Sequence, residues 1–287
     1  MKYALNLPNF GPFGNARKLA ELAALAESNG WDGFFIWDHI NRPFPIDIVD
    51  PWIALTAAAL STSTIRLGTM ITPIPRRRPW KLARETVSLD HLSNGRLIFG
   101  AGLGSGRPSE WAQFGEDIDS IERSKKLDEG LDILAGLWSG EETTVQGQKY
   151  SVDRIQFLPP ALQKPRIPVW IGGNWPSKAP FRRAARWDGV FPMFNDKTIP
   201  ALDQIRACRQ FLAGQQDLSP RFEFAHLGDS TFNMEPGQAA EHTGPFQEVG
   251  VTWWMEPLWP IPYGCSWEEG WPVEKFIQRI KQGPPCC

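Results

Sequence analysis

Residues 65–104, IRLGTMITPIPRRRPWKLARETVSLDHLSNGRLIFGAGLG, read as a strand, a helix and a second strand. An apolar run at 65–71 ends close to Pro73. Leu82, Thr86, Leu89 and Leu92 then recur at helical spacing. Ser93-Asn94-Gly95 breaks the chain, and a further apolar run at 96–101 leaves through Gly102-Leu103-Gly104. Parallel strands need a helical crossover, so this is a βαβ unit.

The unit repeats. Strands are expected at 3–7, 34–37, 65–71, 96–101, 168–171, 189–192, 222–227 and 251–255. Helices are expected at 16–29, 51–60, 79–92, 120–138, 179–186, 202–212, 238–249 and 273–281. Gly30 falls where the first helix should end, because glycine adopts the left-handed backbone without steric penalty. Eight alternations in 287 residues predict an α/β fold: a single (β/α)8 TIM barrel forming one domain over 1–287. A doubly wound open sheet is the rival. Residues 140–158 break the alternation and predict a small hairpin inserted between helix 4 and strand 5, of the kind that often covers an active site.

Composition narrows the function. A net charge of −2 gives no electrostatic case for nucleic acid. No apolar stretch is long enough to span a bilayer and no signal peptide is evident, so a cytoplasmic protein with no membrane partner is expected. The four cysteines, at 208, 265, 286 and 287, have neither metal-site spacing nor a disulfide framework, and read as incidental thiols. Arg76-Arg77-Arg78 reads as a solvated helix start, with a phosphate patch as the alternative. Tryptophan is abundant, with fourteen residues. Trp37, Trp170, Trp175, Trp253, Trp254 and Trp259 fall at or near predicted strand ends, which suits the wall of a pocket for a planar cofactor or apolar substrate.

In a barrel the C-terminal strand ends carry the chemistry. Asp38-His39 directly follows strand two and is the best acid–base candidate, with Asp38 orienting His39. His226 is a weaker candidate; His91 reads as a packing or capping residue and His242 as surface. Two glycine-rich exits, Gly102–Gly106 and 171–174, would let backbone N–H groups approach an anion, or serve only as tight turns. A carboxylate pair of Asp38 and Glu110 in a barrel hydrolase is a further reading, and requires both groups to face one cleft.

Taken together, Asp38-His39, the run TPIPRRRPWKLARETVSLDHLSNGRLIFGAGLG, the helix LDEGLDILAGLWSGE, the segment FLPPALQKPRIPVWIGG and RAARWDGVFP resemble the luciferase-like monooxygenase superfamily of flavin- and deazaflavin-dependent barrel oxidoreductases. The resemblance runs from residue 3 to about residue 192 and thins beyond. It implies FMN or the deazaflavin coenzyme F-420 (F420) as cofactor, bound across the strand ends. It implies a non-proline cis peptide against the ring within Met70-Ile71-Thr72, and phosphate recognition by Gly172, Gly173 and Asn174 with Gly104 and Ser105. His39 matches the family's catalytic histidine. With FMN the chemistry would be monooxygenation of a small organic substrate; with F420 it would be hydride transfer. The expected partners are a small-molecule substrate, a separate flavin reductase in the FMN case, and a second copy of the chain as a homodimer. A flavin-binding barrel without turnover is the alternative.

Two features depart from the family pattern. Leu103 stands where some flavin-dependent members carry a phosphate-gripping arginine. The turn Gly104-Ser105-Gly106 lacks the glutamate that some deazaflavin members use as a proton donor, and Glu110 follows only later.

Overall fold

The computed structural model describes residues 1–215, 218–228, 232–268 and 270–285. Cys286 and Cys287 lie outside the described residues. In chain order the elements are β1 (Lys2–Leu7), α1 (Ala16–Ser28), β2 (Gly33–Ile36), α2 (Pro51–Leu60), β3 (Arg66–Pro73), α3 (Pro79–Leu92), β4 (Leu97–Gly102) and α4 (Ser120–Ser139). Then follow β5 (Thr143–Gln146), β6 (Ser151–Ile155), β7 (Val169–Trp175), α5 (Lys178–Ala184), β8 (Gly189–Phe194) and α6 (Ala201–Ala213). The chain continues through β9 (Glu223–Leu227), α7 (Pro236–Glu248), β10 (Trp253–Pro257) and α8 (Val273–Gln282).

Eight of these strands close into a parallel barrel in the order β1-β10-β9-β8-β7-β4-β3-β2. Closure between β1 and β10 pairs Lys2 through Asn6 with Trp253 through Pro257 and excludes the open sheet. Helix starts are locally specified. Asn15, Asp50 and Asp119 cap α1, α2 and α4 by accepting backbone N–H bonds that the first helical turn cannot make internally.

Strand alternation divides the core in two. Phe35, Ile98, Trp170, Trp253 and Met255 fill the barrel interior. Phe35 and Trp170 stack at 5.6 Å, and Trp253 meets both edge-on. The alternate residues, such as Phe34, Phe99 and Trp254, face the seam with the helices. The expected tryptophan wall is therefore split. Trp170 and Trp253 plug the barrel, and Trp254 lies in the outer seam because it follows Trp253 along one strand. Trp175 packs on Phe181 outside the cavity; only Trp37 and Trp259 of that set reach it.

The inserted segment forms the antiparallel pair β5–β6. It does not cover the active face. Its connections leave from the N-terminal end of the barrel, because it follows a helix and precedes a strand, but its tip packs along the outside of α3 and α4. Glu129 of α4 accepts N–H bonds from Gln148, Lys149 and Tyr150, Lys149 pairs with Glu122 in the first turn of α4, and the Tyr150 ring meets Trp80 in the first turn of α3, while no hairpin residue lines the cavity.

Candidate active site

The C-terminal strand ends open into a cavity of about 850 Å³, within the range of cofactor sites. Of the residues singled out from the sequence, Asp38, His39, Met70, Ile71, Gly104, Ser105, Gly172, Gly173 and Asn174 all line it. Thr72 does not. It is fully buried, and its hydroxyl donates to Thr69 Oγ1 at 2.8 Å, because alternation turns it away from the cavity.

His39 sits in the loop after β2, and its backbone is clamped by buried Asn9. The Asn9 side chain donates to the His39 carbonyl at 2.8 Å and to the Val49 carbonyl at 2.8 Å, and accepts from the His39 N–H at 3.1 Å. Phe10 and Trp37 meet the imidazole edge-on at 5.5 and 5.6 Å. Its Nδ1 lies 2.7 Å from Glu110 Oε1. Glu110 is brought back by a short 3-10 turn at Pro108–Glu110 and is 1 % exposed. The Ser105 hydroxyl donates to its other oxygen, and Arg76 lies 3.5 Å away.

Burial by itself would raise the Glu110 pKa, but the His39 contact, the Ser105 hydroxyl and the Arg76 charge outweigh it and hold the group down at about 2. Glu110 is thus an ionised acceptor across the neutral range, and His39 Nδ1 carries the proton between them. In that tautomer the lone pair of an imidazole is on Nε2.

Asp38 does not orient His39. Arg76 donates to its carbonyl and carboxylate, both at 2.8 Å, and Arg77 donates to both carboxylate oxygens at 2.9 and 2.8 Å. Asp38 therefore anchors the β2 and β3 loops to each other. This also revises the reading of the arginine run: Arg76 and Arg77 are internal ion-pair partners, and only Arg78 is exposed. With Asp38 committed to two arginines and Glu110 to His39 and Ser105, these two do not form the free carboxylate pair a hydrolase requires.

His226 is also excluded as a base. It stacks on Phe246 at 5.0 Å in the outer seam, and burial, with the nearby Lys197 and His242, pushes its pKa down to about 3. His91 bonds the Pro160 carbonyl at 2.8 Å. His242 is half-buried against Phe246 and Trp254 rather than free on the surface. Cys208 is buried, and burial raises its thiol to about 12, so it acts as a packing group.

The Met70–Ile71 peptide is cis and coincides with a register shift between β3 and β4. The Ile71 side chain lies across neighbouring strands, where a Cβ at Gly102 would come within 1.9 Å of its Cδ1 and one at Gly172 within 2.9 Å of its Cγ2. Gly104 has φ of +76°, a backbone that favours glycine. A Cβ at Gly173 would come within 2.3 Å of Pro180 Cβ at the start of α5. Gly173→Val is therefore expected to cost about 1–3 kcal/mol of stability by overpacking, besides disturbing the cavity. Urea unfolding checks this; a wild-type midpoint would show that α5 yields freely.

Glu110 also predicts an acid-sensitive window. Its folded pKa lies below the unfolded value of 4.5, so its contribution is complete above about pH 4.5 and is lost as pH falls towards 2. The stability difference between wild type and Glu110→Gln should be greatest near pH 7 and shrink by pH 3. Urea midpoints at the two pH values measure this; a gap that stays constant would mean the carboxylate is not held ionised by the fold.

The family model for luciferase-like monooxygenases matches residues 5–214. The chain belongs to this family. Among curated relatives, the luciferase-like chain is 29% identical over 225 residues to F420-dependent glucose-6-phosphate dehydrogenase 2 of Rhodococcus jostii, covering 70% of this chain and 61% of the relative. It is 30% identical over 220 residues to the F420-dependent glucose-6-phosphate dehydrogenase of Microbacterium testaceum, covering 70% and 60%. The luciferase-like chain thus spans about three-fifths of the length of these relatives. Its fold resembles that of monooxygenase RslO1 from Streptomyces bottropensis, with TM-score 0.74, 21% identity and 98% and 97% of the two chains covered.

Sequence reasoning missed Asn9, which carries no motif, and the contact between Glu110 and His39. The distance of Glu110 from the glycine turn hid the fact that the 105–110 loop folds back.

Proposed function

We propose that this chain is an oxidoreductase that binds coenzyme F420 across its strand ends and oxidises a small organic alcohol by hydride transfer, the residues over 1–287 forming one catalytic domain. The observation that carries the reading is the 2.7 Å contact between His39 Nδ1 and an ionised Glu110 at the cavity wall. It supplies what hydride abstraction from a carbinol requires of the protein, a fixed base for the hydroxyl proton.

The residues present fit a flavin-like group. Ile71 offers an apolar floor in the space left by Gly102 and Gly172. Asn174 and Ser177 offer hydrogen bonds towards a phosphate-bearing tail, and Lys125, paired with Glu122, and Arg183, paired with Asp128 and Ser124, border the same sector. When bound, oxidised F420 supplies a two-electron acceptor for the carbinol hydride, and the hydroxyl proton leaves separately. His39 Nε2 accepts that proton. Glu110 stabilises the resulting imidazolium and fixes the ring, and Asn9 holds the loop at constant register. In this site Glu110 is an orienting acceptor; the low pKa leaves it no proton to donate at neutral pH.

The F420 reading is supported by the named activities of the two dehydrogenase relatives as well as by the His39–Glu110 pair. The test is a titration of protein fluorescence with F420 and with FMN in parallel, because Trp37 and Trp259 line the cavity. F420 is expected to quench at lower concentration. Saturable quenching by FMN alone would replace hydride transfer with the monooxygenase reading.

A further inference from the structure

The cavity wall has two chemically distinct sides. The sector formed by β4 and β7 with the starts of α4 and α5 carries Lys125, Asp128 and Arg183. The facing sector runs from β8 through β9, β10 and β1 to β2. It contributes Phe191, Met193, Leu227, Trp259, Asn6 and Trp37, and ends at His39. Among the described residues no lysine or arginine lines this second sector. Arg76 and Arg77 grip Asp38, and Arg42, whose guanidinium lies 4.4 Å from the Phe10 ring, is buried and does not line the cavity.

Trp37 and Trp259 meet at 5.0 Å with their planes 55° apart, which presents two inclined aromatic walls. The Trp37 indole N–H is bonded to Asn6 Oδ1 at 3.0 Å, which fixes the ring and removes its donor from the cavity. A phosphate or carboxylate placed here would lose its hydration without gaining a counter-ion. An apolar skeleton would replace water at no such cost.

We infer that the substrate is an uncharged, largely apolar alcohol, with its carbon skeleton held by Trp37, Trp259, Met193 and Leu227 and its hydroxyl at His39 Nε2. The inference rests on the hydride-transfer reading, and specifies the substrate class for that same site. It separates this chain from the sugar-phosphate activity named for its dehydrogenase relatives. The charged sector is left to the cofactor tail.

The test measures binding of cyclohexanol and of glucose 6-phosphate, by tryptophan fluorescence and thermal shift, to the protein with and without F420. Cyclohexanol should bind and glucose 6-phosphate should not. Met193→Lys, which places an ammonium in the apolar sector, should weaken cyclohexanol by at least about tenfold because that charge resists desolvation. Its F420 affinity should stay within about threefold, since affinity follows the contacts the ligand itself makes. Glucose 6-phosphate binding as tightly as cyclohexanol overturns the inference, as does a Met193→Lys variant that loses F420 and cyclohexanol alike. Failure of F420 to bind, with cyclohexanol still binding the cofactor-free protein, would overturn the hydride-transfer reading and retain the apolar site.

Discussion

His39→Ala is expected to lower turnover by about 10²–10⁴-fold, the usual contribution of a positioned general acid or base, with cofactor affinity changed only a few-fold. The variant removes the one imidazole that lines the cavity while leaving the loop clamp intact, because Asn9 bonds the backbone at residue 39 and not its ring. Glu110 would be left with Ser105 and Arg76 as partners, so some loss of stability should accompany the loss of rate. His39→Gln separates the two. Its amide N–H can donate to Glu110 but it cannot take a proton at neutral pH, so stability should recover and turnover should not. Turnover within tenfold of wild type in either variant would remove His39 from the chemistry.

Asp38→Ala should act on the opposite quantity. The Asp38 side chain is 1% exposed and neutralises both Arg76 and Arg77, with Arg76 6% and Arg77 19% exposed. Removing it leaves Arg77 without its carboxylate partner and Arg76 with only the residue-38 carbonyl and Glu110, and breaking such a buried pair typically costs about 3–5 kcal/mol. The sequence reading, in which Asp38 tunes its neighbour, predicts a rate defect in a stable protein. The structure predicts a destabilised protein whose folded fraction still turns over. Chemical denaturation and kcat measured on the same preparation distinguish them. Stability within about 1 kcal/mol of wild type would show that the ion pairs are dispensable, as many exposed pairs are.

The fold was legible because its signal is periodic and repeated: eight apolar runs separated by helical patterns can close in few ways. Cavity-lining residues were legible where position at a strand end, as for His39, or the family resemblance, as for Ile71 and Gly172, marked them. Asp38 was misread because neighbours in sequence are not neighbours in space; one residue of advance turns the side chain from the arginines towards Glu110. The same alternation divides Trp253 from Trp254. Glu110 was noted as a departure and as a possible carboxylate partner of Asp38, but not as a partner of His39, since its approach to His39 depends on a turn whose geometry composition does not encode. The hairpin was expected correctly between a helix and a strand; that its tip packs on α3 and α4 without lining the cavity depends on contacts distant in sequence.

The central claim is that a base held by Glu110 assists oxidation of an alcohol by hydride transfer to F420. It is tested most directly by mixing the protein anaerobically with oxidised F420 and cyclohexanol and following the deazaflavin absorbance. The account predicts loss of that absorbance matched by an equal amount of ketone, with no oxygen required, and a rate reduced at least about a hundredfold in His39→Ala. Product formed only with FMN and oxygen, or F420 reduction undiminished in His39→Ala, would contradict it.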